Sequence, residues 1–358
     1  MTDRMEASPN RPRQQRPSRH GFARAAWGRL RAAARGWLVG LLCSGLLLSV
    51  AGCGEPPQAP LTVGVNPWVG YDPLVLARER GLVDTARVKV VELSTHAESF
   101  RHFRNDVLDA LAITLDQALQ LADEGLDVKI IAVLDESAGA DRVMSAISPG
   151  GSDLWRGQRI AVEPSTLGCI VLHHMLASHG LSEADVTVVP LDASQHLAAL
   201  QAGRVAAAVS YEPWASQMHQ AGFTRVFDSR QMPREILDVL VVRGSVLATR
   251  PADVDALLMA WHAGLARYLA DPAAAAEALV SGTELTVRDY LLTQAGLRYW
   301  APHESLAHLS GRPSPMQQGG DHLVNTLLDM RLLHKAVAWD DLLDPAPASR
   351  VQPSRTPP

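Results

Sequence analysis

Residues 202–216 read AGRVAAAVSYEPWAS: a turn, a run of small apolar residues, then an abrupt break into Tyr211, Glu212, Pro213 and Trp214. The same layout occurs earlier, at residues 105–119, NDVLDALAITLDQAL. Each reads as turn, short strand, polar loop and helix. Aligned on the strands, Thr114 falls opposite Tyr211. Both loops follow the C-terminal edge of a strand, where open α/β sheets bind their ligands. Two lobes built on this unit would aim both loops into one cleft.

Working outward, strands and helices alternate on either side of each unit. LTVGV (61–65), VKVVEL (88–93), LDALAIT (108–114) and VKIIAVLD (128–135) are strand-like apolar runs. Between the first two lies NPWVGYDPLVLARERGL (66–82), a loop and a helix. Asp72 is placed to cap that helix, Pro73 suits its first turn and Gly81 its end. A second series begins near Gly150 with QRIAVEP (158–164), a helix over 165–180, a strand before Leu191 and a helix over 194–203. Helices then dominate, at 252–270, 272–281, 286–297 and 321–337. This order predicts an α/β fold with mostly parallel sheets.

The chain has 358 residues, 47% of them hydrophobic, enough for two domains with real cores. Charge is unevenly placed. Residues 1–52 carry nine Arg against Asp3 and Glu6, whereas the remainder carries 24 basic and 36 acidic residues. An acidic body excludes a nucleic-acid partner, which needs a basic face. The Arg-rich start precedes WLVGLLCSGLLLSV (37–50), too short for a comfortable transmembrane helix. Residues 1–52 are therefore expected to be a signal peptide. VAGC (50–53) resembles the bacterial lipobox, which implies cleavage before Cys53 and its lipidation. A plain signal peptide with an incidental Cys is the competing reading. Residues 53–60 would be a Pro-rich tether, and residues 345–358, PAPASRVQPSRTPP, a disordered tail. With Cys43 removed and Cys53 acylated, only Cys169 stays a thiol, so no intramolecular disulfide is expected.

The ordered set VGVNPWVGYDPLVLARERGL (63–82), LDALAITLDQAL (108–119), DESAGADRVM (135–144), RGQRIAVEPSTLG (156–168), LAALQAGRVAAAVSYEPW (197–214) and LDVLVVR (237–243) carries a resemblance. It resembles the solute-binding proteins of bacterial ABC importers, in the taurine, aliphatic-sulfonate and nitrate-binding group. That group is related to proteins that bind or make the thiamine pyrimidine. The resemblance implies a two-lobed type II periplasmic-binding-protein fold with a cleft between lobes joined by two crossings. It places lobe 1 at residues 61–142 plus 238–344 and lobe 2 at 143–237. The crossings would lie near 139–145 and 237–242. Two positions depart from the family pattern: Asp106 stands where the first repeat usually has Gly, and Ala206 where the second usually has Asp. The implied partners are a small-molecule solute, a permease and its ATPase, and the membrane through the lipid, with the chain a monomer.

Candidate binding residues follow from loop position. Trp68, Gly70 and Tyr71 lie between a strand and a helix, where rings can cover a solute and Gly allows close approach. Thr114 ends the first unit's strand; Asp116 reads more readily as a helix cap. Ser137 is expected to face the cleft, and Asp141 either to join it or to brace the crossing. Ser165, Thr166 and Leu167 open a helix whose free N–H groups suit an oxygen ligand. Glu163 is left between cleft and solvent. Tyr211, Glu212 and Trp214, with Asp238 on the return strand, form the strongest set, although Glu212 also suits a cap. Cys169 and His173 are one helical turn apart but too few for a zinc site. No catalytic residue, metal site or cofactor is expected. Matched loops offer carboxylates and rings but no Arg or Lys, which points to a nitrogen-bearing or zwitterionic solute over a bare anion. Two other functions stay open: a pyrimidine-synthesis-like enzyme, although the Cys-rich motif expected there is missing, and a sensor domain for a signalling partner.

Overall fold

A computed structural model describes residues 58–147, 152–281 and 285–352. The expected signal peptide and Cys53 lie outside the described residues. Two sheets organise the chain. The first contains β1 (Leu61–Val65), β2 (Val88–Glu92), β3 (Ala110–Thr114), β4 (Val128–Ser137), β10 (Leu237–Arg243) and β11 (Leu297–Tyr299), in the order β11-β4-β10-β3-β1-β2. The second contains β5 (Arg142–Ser145), β6 (Arg159–Val162), β7 (Thr187–Pro190), β8 (Ala207–Ser210) and β9 (Thr224–Asp228), in the order β7-β6-β8-β5-β9. This is the expected two-lobed α/β architecture. Among the described residues no helix is long and apolar enough to cross a membrane.

The two repeat units form the strands predicted for them. All five residues of β3 and all four of β8 are buried. Their turns match as well: Asp106 has φ 57° and its counterpart Gly203 has φ 64°. The left-handed turn is therefore kept in the first unit although Asp replaces Gly, at the steric cost borne by any residue with a Cβ. The C-terminal helices belong with the first sheet. The helix Pro251–Ala270 packs against Asp72–Glu79 so closely that a Cβ on Gly264 would overlap the carbonyl of Pro73.

Several expectations need correction. The sheets are mixed, not mostly parallel. β1 pairs in parallel with β2 and β3, and β6 with β7 and β8, but β10 runs antiparallel between β3 and β4, and β5 antiparallel between β8 and β9. β11 also runs antiparallel, to β4, whereas β5 and β10 each come directly out of a crossing between the sheets. The second crossing is residues 229–236, before β10, and not 237–242. Ser229 ties it to the first crossing: its Oγ accepts from the N–H of Gly139 at 2.7 Å and shares a 2.9 Å hydrogen bond with Ser137 Oγ. The segment expected as a disordered tail from 345 is helical over Ala346–Arg350. There Ala348 is buried and Arg350 pairs with Asp255 at 2.7 Å, so apolar burial and an ion pair hold a composition that reads as loose.

Candidate functional site

Four parallel strands, β1, β3, β6 and β8, end at one cleft between the two sheets. Its cavity volume is about 40 Å³, so the cleft is nearly filled by its own side chains. From the first sheet, Asn66, Trp68 and Tyr71 follow β1, Thr114 ends β3 and Asp238 begins β10. From the second, Glu163 follows β6, Ser165, Leu167 and Gly168 open the helix Thr166–Ser178, and Ser210 and Tyr211 end β8. Asp141 enters from the first crossing. The register explains the convergence: Asp238 stands opposite Thr114 on one side and Asp135 on the other.

Two rings meet across the cleft. Trp68 and Tyr211 pack edge to face, with centroids 5.9 Å apart and planes at 74°. Gly70 does not line the cleft; it makes room behind it. A Cβ there would overlap Trp68 Nε1 and the Asp135 carboxyl. The hydroxyl of Tyr71 donates to Asp238 Oδ1, an arrangement that uses its one proton.

Charge in the cleft is acidic. Asp141, Glu163 and Asp238 line it, Asp116 and Asp135 are buried nearby, and no Arg or Lys is among the lining residues. Burial pushes the Asp141 carboxyl up to about 7, helped by the charges of Asp238, Asp116 and Glu212. Asp238 is also pushed up to about 7, by burial and by the charge of Asp116, with the Tyr71 hydroxyl opposing. Burial takes Glu163 to about 7 as well. Asp135 rises well above the usual carboxylate range through burial and then the charge of Asp238. His96, also lining the cleft, is lowered to about 4 by burial and so is neutral at pH 7.

Several buried polar atoms facing this space have no hydrogen-bond partner: Thr114 Oγ1, Ser210 Oγ, Asp141 Oδ2, Asp238 Oδ2 and Trp68 Nε1. Buried polar groups in folded proteins are nearly always satisfied, so such a cluster needs an explanation.

Of the residues predicted from sequence, Trp68, Tyr71, Thr114, Ser165, Leu167, Tyr211 and Asp238 line this cleft. Ser165 also caps its helix, accepting from Gly168 N–H at 3.1 Å. The others are not among the residues that line it. Ser137 Oγ is engaged by Ser229 and by the Asp141 N–H. Thr166 donates to Asp116, which lies inside its helix; Thr114 is the N-cap residue there, its backbone N–H donating to Gln117 while its hydroxyl stays without a partner. Asp72 likewise sits inside its helix and accepts from Tyr290 at 2.6 Å. Glu212 is fully buried, with one oxygen 2.6 Å from Arg142 Nη1 and the other accepting from Ser216 N–H at 3.0 Å. Trp214 packs on a small cluster that includes Ala208, Ala215 and Met218. Sequence reasoning missed Asn66, His96, Gln117 and Ser210. Asn66 follows a strand end just as Tyr211 does, so the same rule applied to β1 would have found it. Gln117 accepts from Thr114 N–H at 3.2 Å, an i to i+3 link readable from the cap. Among the described residues no group of three or more His, Cys, Asp or Glu could hold a metal.

Comparison with solved structures finds the same fold. The ligand-binding component of an ABC-type import system from Staphylococcus aureus, with zinc bound, superposes with a TM-score of 0.68 at 12% identity, covering 82% of this chain and 99% of that one. The alkanesulfonate-binding protein SsuA from Xanthomonas axonopodis pv. citri, bound to MOPS, gives 0.68 at 18% identity, over 81% and 99% of the two chains. The desulfurization enzyme DSZB gives 0.60 at 19% identity, over 82% and 99%. Comparison with curated protein sequences gave no match. Residues 54–281 match the NMT1-like family. The chain belongs to the NMT1-like family.

Proposed function

We propose that this chain is an extracytoplasmic solute-binding protein that captures a small organic, nitrogen-bearing solute and delivers it to an ABC importer. The observation that supports this most is the cleft itself: loops from two separate sheets converge on a cavity edged with rings and unpartnered buried polar atoms. Such groups gain partners when a solute enters, and two lobes joined by two short crossings can close on it by hinge motion. The lobes we assign are residues 61–141 with 237–350, and 142–228. The likeness to the import-system ligand-binding component and to the alkanesulfonate-binding SsuA supports the reading. Capture makes and breaks no bond. A lipid on Cys53 would hold the chain, a monomer, at the membrane beside its permease and ATPase, and Cys53→Ser should release it to the soluble fraction.

The test is a thermal-shift screen of amines, amides, pyrimidines and sulfonates. A solute that binds only the folded chain raises its melting temperature. A hit recovered unchanged after prolonged incubation fits transport. Conversion of the hit to product would favour the enzyme reading, which the likeness to DSZB keeps in view.

A further inference from the structure

The atoms left without partners in the cleft are not a neutral assortment. Four of the five are oxygens: Thr114 Oγ1, Ser210 Oγ, Asp141 Oδ2 and Asp238 Oδ2. The carboxylate oxygens can only accept while ionised, and the hydroxyls can accept. Apart from the two hydroxyls, which can also donate, the one other unpartnered donor is Trp68 Nε1, and it stands beside the Asp135 and Asp238 carboxyls. Three other donors at or near the cleft are committed elsewhere. Tyr71 gives its proton to Asp238, Gly168 N–H goes to Ser165, and Arg142, the cation beside the crossing, spends its guanidinium on Glu212 and on the Gly139 carbonyl at 2.7 Å. A sulfonate placed here would meet Asp141, Glu163 and Asp238 with no opposing charge among the lining residues.

We infer that the solute is a small organic cation, a protonated amine or amidine, whose N–H groups bind Asp141, Asp238 and the Ser210 and Thr114 hydroxyls while Trp68 and Tyr211 flank it. This rests on the solute-binding reading and names its substrate class. An N–H-bearing cation satisfies the orphaned oxygens directly. It also supplies the positive charge that lets buried carboxyls ionise, by charge-assisted hydrogen bonds of the stronger kind. The rings suit the same guest, because an aromatic face attracts an ammonium or amidinium carried near it. A bare metal ion fits less well, since the described residues hold no ligand cluster for one.

The test uses the full chain in detergent and isothermal titration calorimetry with benzylamine, benzamidine, putrescine, MOPS, methanesulfonate and zinc chloride, with benzyl alcohol as the uncharged control. At least one of the three organic cations should bind, with benzylamine at least tenfold tighter than benzyl alcohol where benzylamine is the one. Asp141→Asn and Asp238→Asn should each weaken that binding tenfold or more. Each variant exchanges a buried acid for its neutral isostere, and circular dichroism verifies that it is folded. Binding of MOPS, methanesulfonate or zinc without any organic cation would overturn the inference and leave the solute-binding reading standing. So would a sulfonate whose affinity rises in the Asn variants, as removal of like charge requires for an anion. A chain that binds no probe in the set overturns both.

Discussion

Thr166 Oγ1 donates to the Asp116 carboxylate across the cleft, joining the first turn of the second-sheet helix to the first turn of the helix Leu115–Asp123. Both side chains are buried, at 5% and 2% exposure. Burial raises the Asp116 carboxyl, and this hydroxyl is the largest influence that lowers it. In the proposed hinge closure this contact would form only when the two lobes come together.

Thr166→Val keeps the shape and removes the donor. It should destabilise the chain by about 1–3 kcal/mol, the cost of an unsatisfied buried acceptor. Chemical denaturation of the purified chain measures this. Thr166→Ser restores the hydroxyl and should sit near the wild type. The Val variant should also bind its solute more weakly, about tenfold for each 1.4 kcal/mol lost from the closed state. A Val variant as stable as wild type would mean that Asp116 is protonated and needs no partner.

Much of the fold was legible because the repeat at 105–119 and 202–216 carries its own punctuation: a turn, a short apolar strand, a polar break. Half the cleft followed from the rule that ligands sit beyond strand ends, as Thr114 and Tyr211 show. The rest depended on facts that lie far apart in sequence. Glu212 looked like a ligand residue because it sits in the right loop. Its role is set by Arg142, seventy residues away by number and paired to it across β5 and β8. Strands β5, β9 and β11 are short and two of them lie at sheet edges, so apolar periodicity barely marks them. Asp116 and Asp72 read as caps because Asp is a common cap; each is one or two positions inside its helix, bonded to a distant hydroxyl.

The reassignment of Glu212 has a direct consequence. Its carboxylate is fully buried and split between Arg142 and Ser216, and burial raises its pKa while Arg142 opposes. Removing one member of a buried pair strands the other, at a cost of about 3 kcal/mol. Glu212→Ala should therefore lower the melting temperature markedly, and Glu212→Gln less, since its amide oxygen can still accept from Ser216. Solute affinity of the Gln variant, measured well below its melting point, should stay within about threefold of wild type, because neither oxygen lines the cleft. A large loss of affinity at unchanged stability would return Glu212 to the binding site.

The acids of the cleft should make stability fall with pH. Asp141 has a folded value of about 7 against an ordinary 3.8, so between these values the folded chain holds a proton that the unfolded chain has released. Stability from this group is complete below about pH 4 and is lost as pH rises through about 7, by up to about 1.4 kcal/mol per pH unit. Asp238, Glu163 and the half-buried Asp72 act in the same direction over the same window. His96 and His262, both lowered to about 4, act oppositely between pH 4 and 6.5. The difference between wild type and Asp141→Asn cancels the histidines. The Asn variant should match wild type near pH 4, gain on it steadily through pH 5 and 6, and hold a constant advantage above pH 7.5. Urea denaturation of both chains across that range reads the difference. An advantage that is flat with pH would mean that Asp141 titrates normally and that water reaches it freely, which removes the desolvated acid from the cleft. With an organic cation bound, the ionised carboxylate has its counter-charge, so saturating solute should stabilise the wild type more at pH 7.5 than at pH 5.5.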